Sequence, residues 1–276
     1  MKDCKELLKD VTALYFSVYS VNENKFVCGR DGDYECFPAS VTKVLNALLA
    51  FKYLKLDDLV VVGDEQDVMH YSPDPSVAGI EKGEVWTFRD ILYASLLPSG
   101  NDAAYAIGYN VVERMPEHKD KSVEEKCHIY AEMMNEYAKS LGCVSTHFTT
   151  LDGNDHVKGK IVRHITCAND LCLIFKEVLK YPDLVKAMGT AEIRVMVGEK
   201  EYHFKNTNRL IRPDSEYFNK YCVGGKTGTT ELAGPCLTSI AKKGDETYIV
   251  SVCYSETGVD RFKDSNKIYN FLFGEE

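Results

Sequence analysis

The sequence predicts an α/β fold of the α+β kind, in which one β-sheet is assembled from the two ends of the chain and a helical lobe packs against it. β-Branched and aromatic residues concentrate near the N-terminus and again in the last third, whereas apolar residues between them recur at helical spacing. Strands at both ends with helices between them indicate one sheet built from distant segments. No internal repeat or low-complexity linker interrupts this pattern.

The first predicted elements are a hairpin and a buried helix. Residues 12–21 (TALYFSVYSV) favour a strand, and a turn at 22–24 leads to a second strand through 26–28. From 39 to about 56, apolar residues repeat at the spacing of a largely buried helix. Pro38 lies just before this helix, where proline is tolerated at a helix entrance.

The remaining elements follow from capping residues and from a change of period. A polar stretch over 73–79 is expected to cross the surface, and Thr87 is predicted to cap a helix over 88–97 that Pro98 ends. Asp102 is predicted to open the next helix. Further helices are predicted over 123–141, 165–181 and 262–273, and strands over 193–197, 222–227, 236–242 and 247–254.

Charge and hydropathy argue against two classes of partner. The 276 residues include 33 Lys+Arg and 42 Asp+Glu, which gives a formal net charge of −9. Binding to nucleic acid or to an anionic membrane surface needs clustered cations, so neither partner is expected. No stretch reaches the roughly 20 apolar residues that cross a bilayer, and no membrane span is predicted in this chain.

The ten cysteines are spread from Cys4 to Cys253 and form no Cys-x-x-Cys pair. The closest two, Cys167 and Cys172, are too far apart in sequence for the usual zinc knuckle. We therefore expect buried free thiols that act as small apolar side chains, and we predict neither a metal site nor a cofactor.

The first pattern with chemical meaning is Ser40 to Lys43 (SVTK). Residues i and i+3 share a face of a helix, so the Lys43 amine can reach the Ser40 hydroxyl. A serine needs a base to become a nucleophile, and lysine serves as that base only if its pKa falls from about 10.4 towards neutrality. The apolar residues that follow would supply the necessary burial. A second match, Ser239 to Lys242, lies in a predicted strand, where i and i+3 face opposite ways.

The second pattern, Ser99-Gly100-Asn101, lies on the predicted connection between two helices. A loop held by two helices can present a hydroxyl and an amide to a cleft. Capping of the following helix by Ser99 or Asn101 explains the same residues without any chemistry. The spacing also recurs at Ser20 and Asn22, so the pattern taken alone favours capping.

The third pattern is the glycine-rich run 224–230 (GGKTGTT). Lys226, between glycines on a strand edge, can bind a carboxylate while the backbone approaches the ligand closely. A glycine-rich hairpin end is the alternative. Lys-Thr-Gly occurs once in this chain, and composition alone would produce it in only about a few per cent of chains of this length.

The order of the three patterns is more specific than any one of them. Ser-x-x-Lys, Ser-x-Asn and Lys-Thr-Gly, on helix, loop and strand, are the signature of penicillin-binding proteins and class A β-lactamases. Around these motifs the chain resembles the serine-type D-alanyl-D-alanine carboxypeptidases, which are low-molecular-mass penicillin-binding proteins. The stretches that carry the resemblance are 37–43 (FPASVTK), 97–104 (LPSGNDAA), 146–148 (THF), 206–208 (NTN) and 224–228 (GGKTG).

The resemblance implies the β-lactamase/transpeptidase-like fold, with a five-stranded antiparallel sheet flanked by helices, plus a helical lobe. It covers nearly the whole chain and implies a single peptidase domain over 1–276. The sheet lobe would comprise about 1–38 and 186–276, and the helical lobe about 39–185. No C-terminal β-domain and no membrane anchor are expected, although many relatives carry them.

The resemblance also implies a serine D,D-carboxypeptidase that removes the terminal D-Ala from peptidoglycan stem peptides through an acyl-enzyme. Ser40 would be the nucleophile and Lys43 its base. Ser99, with Asn101 nearby, would relay a proton to the leaving amine and position the substrate. β-Lactam antibiotics would acylate the same serine and act as covalent inhibitors.

The third motif supplies the substrate-binding residues that the resemblance implies. Lys226 and Thr227 would bind the terminal carboxylate, and Arg261 at the head of the last helix would assist them. The backbone N–H groups of the nucleophile and of Thr229 would form the oxyanion hole, beside Gly228. None of these roles needs a metal or a cofactor.

Two departures from the class A β-lactamases favour the carboxypeptidases. Gly100 stands where those lactamases usually have Asp, and no Glu-x-x-Leu-Asn element lies between the second and third motifs. Glu132 is the nearest candidate, and its helical context predicts a surface carboxylate. Without the deacylating glutamate, the chain should react with penicillin and hydrolyse it slowly. A class A-like β-lactamase and a β-lactam sensor or binding domain are the alternatives.

The N-terminus does not resemble a signal peptide, because its charges are mixed and Lys9 and Asp10 interrupt the first apolar run. Since the implied substrate is part of the cell wall, we expect an extracytoplasmic location at the cell surface or in the periplasm, with an export segment absent from this sequence. A cytoplasmic location is the alternative.

Overall fold

The computed structural model describes residues 9–69 and 76–275. Its strands are β1 (Tyr15–Ser20), β2 (Lys25–Arg30), β3 (Leu59–Val61), β4 (Val85–Thr87), β5 (His156–Val157), β6 (Lys160–Ile161), β7 (Glu192–Val197), β8 (Lys200–Lys205), β9 (Cys222–Thr230), β10 (Gly234–Lys243) and β11 (Glu246–Cys253). Its helices are α1 (Lys43–Ala50), α2 (Glu65–Val68), α3 (Phe88–Leu96), α4 (Asn101–Glu113), α5 (Val123–Ser140), α6 (Ala168–Val178), α7 (Pro182–Met188) and α8 (Asp260–Phe273), and 3-10 turns lie at Ala39–Thr42, Pro116–His118 and Arg209–Ile211.

The central sheet has five antiparallel strands in the order β2-β1-β11-β10-β9. Strands β1 and β2 come from the N-terminal end and the other three from the last third of the chain, so the predicted sheet of distant segments is confirmed. Ser17 pairs with Ser251 across β1 and β11, and Lys226 pairs with Thr238 across β9 and β10. Because β9 is at the sheet edge, its motif residues can border a cleft.

Apolar side chains cover both faces of this sheet. On one face, Phe16, Leu237 and Val250 pack with Phe262 and Tyr269 of α8. The opposite face belongs to a second apolar cluster that includes residues of α1, α4 and α6. Because both faces are covered, β1, β10 and β11 are buried at most of their positions instead of alternating between core and solvent.

The helix expected over 39–56 is shorter than predicted and has two parts. It begins as the 3-10 turn Ala39–Thr42, continues as α1 and then ends in turns. The Asp58 carboxylate accepts a hydrogen bond from the Lys55 N–H at 2.9 Å, and such local bonding competes with a helix. Leu54 is nevertheless buried, so the apolar spacing at this end reflects packing of a turn.

Two other helix predictions test the capping arguments. The Thr87 hydroxyl accepts the Asp90 N–H at 3.1 Å, which confirms the cap of α3. The helix predicted over 165–181 is α6, which is shorter at both ends, and Pro182 then starts α7, a separate helix that was not predicted, at a position that suits its fixed φ. In the surface stretch expected over 73–79, residues 73–75 lie outside the described residues. Across residues 9–69 and 76–275, no helix has the length and apolar character needed to span a membrane.

The strand predicted over 193–197 does not join the central sheet. It is β7, which forms a separate hairpin with β8, a strand that the sequence did not indicate. The buried face of this hairpin packs on Trp86, whose ring centroid lies 4.7 Å from that of Tyr202. In β8 the charged residues alternate with buried aromatic ones, as expected when one face of a strand meets solvent.

Most cysteines in the described part of the chain are free and buried, as the sequence predicted. Cys28 differs, since it is disulfide-bonded. The free thiols belong to Cys36, Cys127, Cys143, Cys167, Cys172, Cys222, Cys236 and Cys253.

Candidate active site

The Ser-x-x-Lys motif lies where the 3-10 turn Ala39–Thr42 passes into α1. A 3-10 helix has three residues per turn, so side chains three apart are aligned along its axis. The Lys43 Nζ donates a hydrogen bond to Ser40 Oγ at 2.7 Å. The structure therefore places these two side chains in direct contact.

Lys43 is completely buried and surrounded by acceptors. Its Nζ also donates to Asn101 Oδ1 at 2.7 Å and to the backbone oxygen of Asp152 at 2.8 Å. Burial lowers the pKa of Lys43 to about 8, while the nearby carboxylates of Asp152 and Asp102 act in the opposite direction. The neutral amine is therefore accessible near physiological pH and can take the proton of the Ser40 hydroxyl.

Ser99 and Lys226 form a second contact across the same region. Lys226, on β9, is buried and donates a hydrogen bond to Ser99 Oγ at 2.8 Å. Burial lowers the pKa of Lys226 well below its ordinary value, and the positive charges of Lys43 and Arg261 add to this effect. A negatively charged ligand beside Lys226 would offset the cost of burying the ammonium group.

The backbone at Ser99 adopts a conformation that side chains rarely take. Its φ is 68°, in the left-handed region, and such strain concentrates at functional sites. The N-cap of α4 is Gly100, which makes no side-chain capping bond. The interpretation of Ser99 or Asn101 as a simple helix cap is therefore wrong, and the Ser99 hydroxyl instead accepts the hydrogen bond from Lys226.

The nucleophile segment lies between a strand and a loop. A Cβ at Gly228 of β9 would lie 2.5 Å from the Pro38 carbonyl oxygen and 3.0 Å from the Ser40 nitrogen. From the other side, a Cβ at Gly153 would lie 1.9 Å from the Ala39 carbonyl oxygen. Both positions need glycine because the backbone approaches so closely, and Gly153 also has a φ of 96°.

Hydroxyl and cationic groups gather along β9. The Thr227 and Thr207 hydroxyl oxygens are 2.7 Å apart. Arg261, in the first turn of α8, donates through Nη1 to the Gly228 carbonyl oxygen at 3.0 Å and to Thr229 Oγ1 at 2.7 Å. Together with the buried lysine of the same strand, this edge offers two cations to a carboxylate.

The structure brings together every site residue that the sequence predicted, from Ser40 to Arg261, because the contacts above link each one to the next. Among the described residues, the cleft that Ser40, Asn101 and Thr229 border also has walls that the sequence did not indicate. Its lining consists of Ser40, Ser76, Asn101, Asp152, Gly153, Asn154, Thr229 and Thr230.

Three of the supporting residues were not singled out from the sequence. Asp152 and Gly153 lie in the connection between α5 and β5, for which the sequence analysis made no prediction. Asp102 directly follows the second motif and was interpreted as a helix start. Its buried carboxylate accepts the N–H groups of Ala78 and Gly79, both at 2.8 Å, and so anchors a segment beside the cleft.

A buried histidine supports the nucleophile turn from behind. The Thr149 N–H donates to His164 Nδ1 at 3.0 Å, which places the ring proton on Nε2. That Nε2 lies 2.8 Å from Thr42 Oγ1 and donates to it. Burial lowers the pKa of His164 to about 3, so the ring is neutral at physiological pH. No sequence pattern pointed to this residue.

The competing patterns lie away from the cleft. The Ser239 hydroxyl is 2.8 Å from the Tyr269 hydroxyl, under α8. Glu132 is exposed on α5, as predicted, and its side chain lies 4.0 Å from that of His128. In the part of the chain that the structure describes, no group of His, Cys, Asp and Glu side chains is arranged to hold a metal ion.

Comparison with known proteins gives an independent test. The family model of the D-alanyl-D-alanine carboxypeptidases matches residues 4–257. The chain is 31% identical over 249 residues to D-alanyl-D-alanine carboxypeptidase DacB2 of Mycobacterium tuberculosis, which covers 90% of this chain and 76% of that protein. It is also 31% identical over 257 residues to D-alanyl-D-alanine carboxypeptidase DacF of Bacillus subtilis, where the match covers 91% of this chain and 59% of that protein.

Solved structures share the fold. A crystal structure of a D-alanyl-D-alanine carboxypeptidase from Mycobacterium tuberculosis has a TM-score of 0.80 and 25% identity, covering 97% of this chain and 93% of that one. A mutant of a Streptomyces DD-transpeptidase has a TM-score of 0.83 and 24% identity, covering 96% and 98%. These structures confirm the predicted fold class. Because the family match extends over most of its length, the chain belongs to the D-alanyl-D-alanine carboxypeptidase family.

Proposed function

We propose that this chain is a serine D,D-carboxypeptidase that removes the terminal D-Ala from peptidoglycan stem peptides through an acyl-enzyme at Ser40. The observation that carries the proposal is the 2.7 Å hydrogen bond between the buried Lys43 amine and the Ser40 hydroxyl. The nearby Lys226 and Arg261 suit a peptide that ends in a free carboxylate. Family membership points to the same reaction.

In the proposed acylation, Ser40 Oγ attacks the carbonyl carbon of the penultimate D-Ala. Neutral Lys43 takes the hydroxyl proton as the new C–O bond forms, and the carbonyl electron pair moves onto its oxygen. When the tetrahedral intermediate collapses, the electron pair on its oxygen re-forms the carbonyl, the peptide bond breaks, and the leaving D-Ala nitrogen receives through Ser99 the proton that Lys43 had taken. Positioned proton transfer of this kind contributes about 10²–10⁴ in rate. Water then cleaves the ester and releases the shortened peptide.

The negative charge of the tetrahedral intermediate needs donors that are already in place. We assign this role to the backbone N–H groups of Ser40 and Thr229. The close approach of β9 at Gly228 supports the assignment, since it holds the two segments together without a side chain between them. Loss of one such donor typically costs about 10²–10³ in rate.

Lys226, Thr227 and Arg261 are the proposed carboxylate-binding residues. Burial lowers the pKa of Lys226, because the ammonium group loses its hydration in the buried site. A substrate carboxylate supplies the missing opposite charge and so favours the protonated lysine. This dependence predicts a preference for peptides with a free C-terminus, which is the defining property of a carboxypeptidase.

β-Lactams present a carboxylate and a strained amide to the same groups, and we propose that they acylate Ser40. Deacylation by a lactamase-type glutamate is not available from Glu132, which is exposed on α5. The acyl-enzyme formed with penicillin should therefore persist. The proposed partner is thus a cell-wall stem peptide that ends in D-Ala-D-Ala, which corresponds to an extracytoplasmic place of action.

The test is release of D-Ala from a synthetic peptide ending in D-Ala-D-Ala, measured beside a Ser40→Ala variant. We expect release by the wild type and none above background by the variant. Equal release from both proteins would refute the mechanism. Labelling of Ser40 by penicillin without D-Ala release would instead indicate a sensor, and rapid turnover of a chromogenic cephalosporin without D-Ala release would indicate a β-lactamase.

A further inference from the structure

Asp155 is a buried carboxylate that the mechanism above does not use. It lies two residues after Gly153, in the loop that leads to β5, and only 2% of its surface is exposed. Its Oδ1 is 2.7 Å from His156 Nδ1, and its Oδ2 accepts a hydrogen bond from the Thr230 hydroxyl. A buried charge in such a position needs these partners.

Thr230 connects this carboxylate to the end of β9. It directly follows Thr229, whose N–H is the proposed oxyanion donor. The Thr230 hydroxyl accepts the Ala233 N–H at 3.0 Å, which leaves its own proton for the Asp155 carboxylate. One hydroxyl therefore holds both the turn after β9 and the contact with the loop.

The loop that carries Asp155 also contacts the nucleophile. The backbone oxygen of Asp152 accepts a hydrogen bond from Lys43 at 2.8 Å, and Gly153 lies against the Ala39 carbonyl. Within four residues, the loop thus contacts the base at one end and the strand of the oxyanion donor at the other. The contact between Asp155 and Thr230 therefore joins this loop to the end of β9 beside the cleft.

We propose that Asp155 is a positioning residue that sets the place of the Thr229 N–H through its hydrogen bond with Thr230. The inference rests on the proposed function, in which that N–H stabilises the oxyanion. When the contact is lost, the end of β9 can move away from the loop. The N–H then no longer points at the developing charge, although the carboxylate-binding groups further along β9 keep their places. Catalysis should therefore suffer more than substrate binding.

A matched pair of variants at Thr230 tests this inference. Thr230→Val keeps the shape of the side chain and removes the hydroxyl, whereas Thr230→Ser keeps the hydroxyl. We expect Thr230→Val to lower the rate of Ser40 acylation by benzylpenicillin, and kcat for the D-Ala-D-Ala peptide, by about 10- to 100-fold. KM should change by less than about threefold, and Thr230→Ser should restore both rates to within about threefold of the wild type.

A double-mutant cycle with Asp155→Ala identifies the partner. For the effect on acylation, the double variant should be no slower than the slower single variant, because the contact between Asp155 and Thr230 that both changes remove can be lost only once. Full activity in folded Thr230→Val would overturn the inference, as would an equal loss in Thr230→Ser or fully additive effects. If Asp155→Ala does not fold, the comparison of Thr230→Val with Thr230→Ser still shows whether the hydroxyl is needed for acylation. Acylation by benzylpenicillin reports on positioning even if wild-type protein released no D-Ala, so failure of the proposed function remains distinguishable.

Discussion

Burial of Lys43 destabilises its charged form and so makes its neutral, reactive form available. Burial lowers its pKa from 10.5 to about 8 although it donates hydrogen bonds to Ser40, Asn101 and the Asp152 backbone. A shift of this size corresponds to about 3 kcal/mol against the charged form, at 1.36 kcal/mol per pKa unit. The same environment that disfavours the ammonium group makes the neutral amine available as a base.

The pKa of Lys43 predicts the pH dependence of acylation. Only the neutral amine can accept the Ser40 proton, so the rate with benzylpenicillin should rise about tenfold per pH unit below about 8 and level off above it. Arginine cannot lose its proton in this range, so Lys43→Arg should lower the rate by at least about 10³ at every pH. Stopped-flow acylation between pH 5.5 and 9.5 measures both, and a flat wild-type profile would contradict the assignment of the base.

Ser99 illustrates a residue whose role the sequence alone did not reveal. Taken alone, its motif favoured helix capping, since serine and asparagine are common cap residues. The structure decides between them because α4 has no side-chain cap at Gly100 and the Ser99 backbone is left-handed. Backbone strain depends on tertiary contacts, so no local pattern of residue types encodes it.

At the scale of elements, the site depends on how closely β9 approaches the nucleophile turn. Gly228 has no room for a Cβ, because that atom would lie only 2.5 Å from the Pro38 carbonyl oxygen and 3.0 Å from the Ser40 nitrogen, which is closer than van der Waals contact. The loop at Gly153 presses on the same turn from the opposite side. The glycine-rich third motif was predicted from the sequence, but its contact with the first motif was not, since the two are far apart along the chain.

Gly228→Ala should separate β9 from the nucleophile turn. We expect acylation by benzylpenicillin to fall by at least about 10², because the oxyanion donor on β9 moves with the strand. Gly258→Ala is the matched control, since a Cβ there meets no atom within 4 Å. Rapid-mixing kinetics and thermal unfolding of both variants measure the effect, and an active, folded Gly228→Ala protein would show that close approach is unnecessary.

Elements were predicted best where capping residues or strand periodicity marked them. Thr87 capped its helix as expected, and the hairpin at the N-terminus formed as β1 and β2. The helix over 39–56 was overextended because Tyr53 continued the apolar spacing beyond the last helical turn, although its side chain is exposed. The pairing of β7 with β8 was missed because charged residues occupy the exposed face of β8 and hide its buried aromatic residues.

At the scale of the whole molecule, the sheet and the helices enclose polar groups as well as apolar ones. His164 is one of these, and its contact with Thr42 joins the segment between β6 and α6 to the nucleophile turn. Its environment disfavours the charged ring, so its pKa falls to about 3. In the unfolded chain, histidine has a pKa of about 6.5. As the pH falls, His164 therefore binds a proton in the unfolded chain before it does so in the folded one.

Stability should therefore decrease in acid through His164. Its contribution is complete above about pH 6.5 and is lost as the pH falls towards about 3, since the unfolded state then binds more protons. The difference in unfolding free energy between wild type and His164→Asn should shrink by about 2 kcal/mol from pH 7.5 to pH 5. Denaturant titrations at the two pH values measure these unfolding free energies, with His128→Asn as the exposed control. A difference that is the same at pH 7.5 and pH 5 would contradict a neutral, buried ring.

By itself, the sequence determined the fold class, the three motifs and the residue types of the reaction, because these depend on local periodicity and on short spacings. Only the tertiary structure decided that Ser40, Lys43, Ser99 and Lys226 meet, and that Asp102, Asp155 and His164 contact the segments around them. The reason is physical. Contacts between distant segments, the burial that shifts a pKa and the strain of a backbone all depend on which surfaces pack together, and a linear pattern of residues does not specify that.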